Sequence, residues 1–180
     1  VSSFAQTRKS TGFSKRPKNI ILFIGDGMGI SHVTAGMTLS TQPFNLMQFP
    51  FSGFSITQSA DDYITDSGAG GTAIACGVKT NNGMIGVAPD NTVVASITEF
   101  AHVNGLSTGV VSTSAITHAT PASFVAHNIS RNNYEQIAEN FLNGYIDLFI
   151  GGGEDHFRNR ADKRDLAAEL EKQGFDVVYT

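Results

Sequence analysis

An acid and a hydroxyl, Asp66 and Ser67, open a segment "DSGAGGTA" with almost no bulk before Ile74. Such a segment is helix-compatible, with Asp66 or Ser67 as its N-cap. A helix start presents free N–H groups and the positive dipole end, which favour an anion. Small neighbours let a phosphate and metal ions come close to the Ser67 oxygen. Serine is a poor nucleophile until a base or a metal activates it. The sequence has no G-x-S-x-G elbow and no assignable His–Asp relay, so metal activation is the chemistry expected.

A second acid stands in a glycine turn. "GDGMG" (25–29) is not a dinucleotide loop, because the last glycine of G-x-G-x-x-G falls on Ile30. Asp26 would repel a pyrophosphate unless a cation stood between them. The glycines clear space around it, so metal ligation is expected rather than a plain helix cap. "GGTAIACGVKT" (70–80) is no phosphate-cradling loop, since Val78 separates Gly77 from Lys79. In "STSAITHATPASFVAH" (112–127), His118 and Thr120 project from one short loop. Imidazole is a natural metal ligand, and a threonine hydroxyl suits a hard cation. Thr120 can equally cap the helix that Pro121 opens. Arg131, in "HNISRNNY", offers a planar fork for a tetrahedral phosphate. His32, His102 and His127 fall in helical segments and are expected to be structural or exposed.

The elements that must hold these residues alternate. "KNIILFIGDGMG" (18–29) reads as a strand buried on both faces and feeding a turn, with a helix over 30–40. Residues 51–59 alternate as a strand, and 66–76 form the small-residue helix. A helix over 91–105 closes on Gly105, a strand follows over 106–113, and Thr120-Pro121 opens another helix. Helix 132–144, strand and glycine turn 145–153, helix 163–174 and strand 175–180 complete the pattern. "GGGEDHF" (151–157) is expected to be a polar loop. The alternation predicts an α/β fold: a mostly parallel sheet with helices on both faces, in which ligands bind beyond the carboxyl ends of the strands. Residues 1–17 read as a flexible basic arm, and 18–180 as one α/β portion without a closing element.

Composition narrows the classes. Of 180 residues, 41% are hydrophobic and 16% charged, so a packed core is affordable and disorder is not expected. The net charge of −4 argues against general nucleic-acid binding. No apolar run reaches membrane-span length. The single cysteine, Cys76, excludes an internal disulfide and reads as a small buried side chain rather than a nucleophile.

Taken in order, "NIILFIGDGMG", "TDSGAGGTAIACGVKTNNGMIGV" and "VSTSAITHATPASFVAH" followed by "SR" resemble the alkaline phosphatase family. The resemblance is continuous over about residues 18–153 and looser to 180. It implies an alkaline-phosphatase-like three-layer α/β sandwich, incomplete at its C-terminal end. It implies two zinc ions and one magnesium, with Asp26 bridging a zinc and the third metal. Ser67 would be the nucleophile that becomes phosphorylated, and Asp66 would orient Arg131, which grips two phosphate oxygens. His118 and Thr120 would belong to the magnesium region. Some relatives carry aspartate where His118 stands, which leaves open magnesium held directly, magnesium held through water, or a different metal. The family commonly has alanine where this chain has Gly68.

The implied reaction is two in-line displacements on a phosphate monoester, with zinc activating the Ser67 hydroxyl and a second zinc stabilising the leaving oxygen. Most of the family's zinc ligands come from the second half of a longer chain, and no histidine follows His156 here. The chain is therefore expected to be an N-terminal part that alone binds metal poorly and turns over little phosphate. The resemblance also implies a periplasmic or extracellular enzyme, often a homodimer. Two other readings compete: a phosphate- or metal-binding module without catalysis, and a related phosphodiesterase or sulfatase. Retention of Ser67 argues against the first, and the single Arg131 beside Asp66-Ser67 favours monoesters over the second.

Overall fold

The computed structural model describes residues 17–179. The basic arm expected over 1–17 lies outside the described residues except for Pro17. Ordered elements begin with helix α1 (Ile30–Leu39), followed by α2 (Ser67–Cys76) and α3 (Ile97–Val103). Strand β1 (Gly109–Ala115) leads into the short α4 (Ala119–Ala122) and then α5 (Tyr134–Glu139). Strand β2 (Leu148–Gly152), α6 (Asp155–Arg158) and α7 (Leu166–Lys172) complete the order.

β1 and β2 run parallel, in register Gly109 to Leu148 through Val111 to Ile150, with an irregularity before Ala115 meets Gly152. The crossover between them carries α4 and α5, as a parallel pair requires. Gly151 is small for a reason: a Cβ there would stand 3.1 Å from both Ile116 Cβ and Ser114 O. Beneath the pair, Ile116, Val125, Phe141, Ile146, Phe157, Leu166 and Leu170 form the main core. Phe141 anchors it, with its ring 4.8 Å from Phe149 and 5.7 Å from Phe157. A second cluster of Ile85, Ala119, Ala122, Ala126 and Ile137 packs the 81–94 loop against α4 and α5.

The helices follow the capping chemistry of the sequence. Asp66 caps α2 by accepting from Ala69 N, which settles the choice between Asp66 and Ser67, and Gly77 ends that helix in the left-handed region. Ser96 and Glu99 form a reciprocal capping box that starts α3 later than expected, at Ile97. α4 begins one residue before Thr120, with His118 at the N-cap. Thr120 and Pro121 are thus its second and third residues, because Thr120 spends its hydroxyl elsewhere. The expected polar loop at 151–157 instead closes β2 and turns into α6, whose N-cap is Glu154.

Three expected strands are not strands. Residues 18–29, 51–59 and 175–179 form no ladder among the described residues. A strand is defined by the neighbour that takes its N–H and C=O groups, and local apolarity cannot supply one. Ile20, Phe23 and Phe54 stay 81%, 87% and 99% exposed. Phe175 instead donates its N–H to Leu170 O and lays its ring 6.0 Å from Phe149.

Candidate active site

The turn at 25–28 closes through Met28 N donating to Gly25 O, with Gly27 in the left-handed region at φ +67°. This turn holds Asp26 out to meet two distant segments. Its Oδ1 accepts from Ser67 Oγ at 3.1 Å, and its Oδ2 accepts from Thr120 Oγ1 at 2.7 Å. One carboxylate thus joins the start of α2 to the start of α4.

Those two helices approach closely because α2 lacks side chains where they meet. A Cβ on Gly71 would stand 2.7 Å from Ser123 Oγ and 3.4 Å from Thr120 Cα. On the adjoining side, Thr72 Oγ1 accepts from Gly86 N at 2.9 Å and ties α2 to the 81–94 loop. Gly68 faces that loop too, where a Cβ would lie 2.8 Å from Met84 O. That contact explains glycine after Ser67.

Asp66 does more than cap. Its Oδ2 accepts from Gly83 N at 3.0 Å and from Arg131 Nη1 at 2.8 Å, while its own N–H donates to Asn82 Oδ1 at 2.9 Å. Arg131 is fixed from behind as well, by its backbone N–H donating to Gly83 O at 2.7 Å. The guanidinium is held beside the start of α2, and Asp66 takes only one of its N–H groups among the described residues. Burial alone would raise the Asp66 carboxyl, but bonds from Ala69 N, Arg131 and Gly83 N outweigh it and hold the group below its ordinary range.

His118, at the N-cap of α4 two residues before Thr120, has no polar side-chain partner among the described residues. Its ring instead faces Tyr134, at 5.8 Å between centroids. Cys76, the last residue of α2, is pushed up to about 11 by burial and by the Glu99 carboxylate, which fits the expected inert thiol. His32 accepts from Gly29 N at α1's start. His127 lies outside any helix, bonded between Gly86 O and Glu99.

Sequence reasoning missed Asn82 and Gly83, although the Asn-Gly pair in "TNNGM" is a turn signal that could have drawn attention to them. It also missed Thr117 and Tyr134, for which no local signal exists.

Asp26, Ser67 and Thr120 offer a carboxylate and two hydroxyls, each hydroxyl within hydrogen-bond reach of the carboxylate. With His118 nearby in the chain, this is mostly a hard-oxygen set with one imidazole, which suits magnesium and is compatible with zinc. It is a partial set: among the described residues no three His, Cys, Asp or Glu side chains converge.

The segments Thr117–Thr120 and Glu154–His156, which lead into α4 and α6, lie just beyond the carboxyl ends of β1 and β2, as in α/β proteins that bind ligands at that edge. The alkaline phosphatase family model matches residues 17–180, and the chain belongs to the alkaline phosphatase family. It is 43% identical to alkaline phosphatase 4 of Bacillus subtilis (strain 168), over 91% of this chain and 38% of that protein. It is similar to the solved alkaline phosphatase of the Antarctic bacterium TAB5, with a TM-score of 0.90 and 45% identity, over 92% of this chain and 49% of that one. A histidine-to-aspartate mutant of the TAB5 enzyme, solved with magnesium in its M3 site, matches at a TM-score of 0.84 and 43% identity, over 86% of this chain and 45% of that one. The chain spans about two fifths of the length of the curated relatives it matches, 38% and 41% for the two from Bacillus subtilis. The fold is accordingly a partial α/β unit of this family's architecture.

Proposed function

We propose that this chain carries the nucleophile and part of the metal site of a phosphate monoester hydrolase that works through a phosphoserine on Ser67. Residues 18–180 form one portion of the alkaline-phosphatase-like domain. The observation that carries this reading is the shared carboxylate: Asp26 holds the hydroxyls of Ser67 and Thr120 at once, while Asp66 holds Arg131 beside the same helix start.

Each group has a separate task. Asp26 orients the Ser67 hydroxyl, whose proton points at Asp26 Oδ1. Arg131 presents its remaining N–H groups to two oxygens of the phosphoryl group, and the start of α2 adds its positive end. Asp66 fixes the guanidinium in that pose. Ser67 Oγ attacks phosphorus in line as its proton passes to solvent, and the bond to the ester's alcohol breaks with the leaving oxygen taking a proton from water. A second water later cleaves the phosphoserine to give back the Ser67 hydroxyl and inorganic phosphate. Divalent cations, two zinc and one magnesium in this reading, would activate the serine oxygen and neutralise developing charge when bound. Asp26, Ser67, His118 and Thr120 are the residues of this chain that would hold them, with further ligands from outside the described residues. The chain alone would bind metal weakly and turn over little ester.

Arg131 addresses terminal oxygens that a diester partly lacks, so monoesters are the substrates. Family membership supports a periplasmic or extracellular homodimer. Among the described residues no helix is long and apolar enough to cross a membrane.

The test is to trap the intermediate. The metal-loaded protein that carries this chain together with its remaining metal ligands is incubated with inorganic phosphate at low pH, digested and analysed by mass spectrometry, with aryl phosphate, diester and sulfate rates measured in parallel. Phosphate on the Ser67 peptide, lost in Ser67→Ala together with monoester turnover, is the expected result. An unlabelled Ser67, or a Ser67→Ala variant that keeps its rate, would refute the reading. Faster diester or sulfate cleavage would reassign the substrate.

A further inference from the structure

Three segments meet behind His118. Thr117 is fully buried in the loop after β1, Tyr134 is the first residue of α5, and His156 lies on α6 after β2. The His156 ring stacks on Tyr134 with centroids 4.7 Å apart and planes 12° from parallel. Its Nδ1 meets Thr117 Oγ1 at 2.6 Å. Tyr134 in turn faces the His118 ring at 5.8 Å, with planes 30° apart. His156 therefore holds this loop twice, directly at residue 117 and through Tyr134 at residue 118.

The stack is itself supported. Arg160, 5% exposed, donates Nη1 to the carbonyls of both Glu135 and His156, at 2.6 Å and 3.1 Å. It thereby ties the backbone beside Tyr134 to the backbone of His156. Gly153 makes room for the imidazole: a Cβ there would stand 3.1 Å from His156 Nδ1 and 3.0 Å from Ala115 Cβ. A loose surface contact would need neither the buried arginine nor the glycine.

We propose that Tyr134 and His156 are positioning residues that hold the His118 imidazole ready for the metal at its site, a role that rests on the reading of His118 as a metal-site residue. An imidazole free to rotate must be ordered at the moment of binding. One already held against a supported ring has less freedom to lose. Hydrogen-bonded partners of ligating histidines commonly change metal affinity by about 10–100-fold, and an aromatic face that orients the ring is expected at the lower end of that range.

The test takes the metal-free protein that carries this chain together with its remaining metal ligands and titrates it with Mg2+ and with Zn2+, following the His118 ring signals by 1H–13C NMR, with circular dichroism and thermal midpoints as folding controls. Tyr134→Phe keeps the ring and is expected to bind within about twofold of the unchanged chain. Tyr134→Leu and His156→Asn remove the stack, and each is expected to weaken binding by about tenfold or more and to shift the His118 ring signals before any metal is added. Folded Tyr134→Leu and His156→Asn variants with unchanged His118 signals and affinity would overturn the proposal. His118→Ala separates the two readings. If it weakens binding while Tyr134→Leu does not, the positioning role fails and the metal site stands. If it leaves metal binding unchanged, the metal-site reading fails and the positioning role goes with it.

Discussion

Removing the Asp66 carboxylate should cost stability in separable steps, because its two oxygens serve three donors. Oδ1 accepts from Ala69 N at 2.9 Å, and Oδ2 accepts from Gly83 N at 3.0 Å and Arg131 Nη1 at 2.8 Å. Losing the cap costs about 1 kcal/mol. Leaving the half-buried Gly83 N–H without its partner costs about 1 kcal/mol more. The Arg131 pair is about a third exposed on one side and 26% on the other, so it adds only about 0.5 kcal/mol. Asp66→Ala should thus lose about 2–3 kcal/mol, whereas Asp66→Ser, which keeps a capping oxygen, should lose about 1–2 kcal/mol. Urea unfolding at neutral pH, followed by circular dichroism, reads the difference. The acid limb checks it independently. The folded carboxyl is held below its ordinary value of 3.8, so the stability it adds is present above that value and is lost as pH falls through the folded value. Asp66→Asn should therefore flatten the acid limb. A Ser variant as unstable as Ala, or an Ala variant within about 0.5 kcal/mol of the unchanged chain, would refute this accounting.

Two further outcomes follow from the same helix. Gly68→Ala gains about 1 kcal/mol of helix propensity but drives a Cβ to 2.8 Å from the Met84 carbonyl, so a net loss of about 1 kcal/mol is expected in thermal unfolding. Cys76, held up to about 11 by burial and then by Glu99, should resist iodoacetamide at pH 8 in the folded chain and react readily in urea, as read by intact mass.

What was legible in the sequence divides by the range of the interaction. Capping and glycine signals are local, so α2 and α7 were anticipated to within a few residues while α3 starts six residues later than expected, and their caps Asp66, Ser96 and Asp165 act through bonds three residues long. The strand over 106–113 emerged as β1 because a second apolar run, at 148–152, pairs with it in parallel. The equally apolar run at 18–24 did not become a strand, since no described segment takes up its backbone groups. Apolarity reports that a surface wants cover, not what covers it.

The candidate site divides the same way. Asp26, Asp66, Ser67, His118, Thr120 and Arg131 could all be named from residue type and motif. Their geometry depends on contacts 41, 65 and 94 residues apart in the chain. Glycines at 68 and 71 look in sequence like bare flexibility, yet each marks a place where another backbone or side chain comes too close for a Cβ. Tyr134 carried no signal in the sequence, and His156, in "GGGEDHF", was expected to be part of a polar loop. A tyrosine at a helix start and a histidine after three glycines carry no motif, and only the parallel pairing of β1 with β2 brings their loops together. The candidate reactive residues can be read from type, whereas their neighbours are chosen by topology.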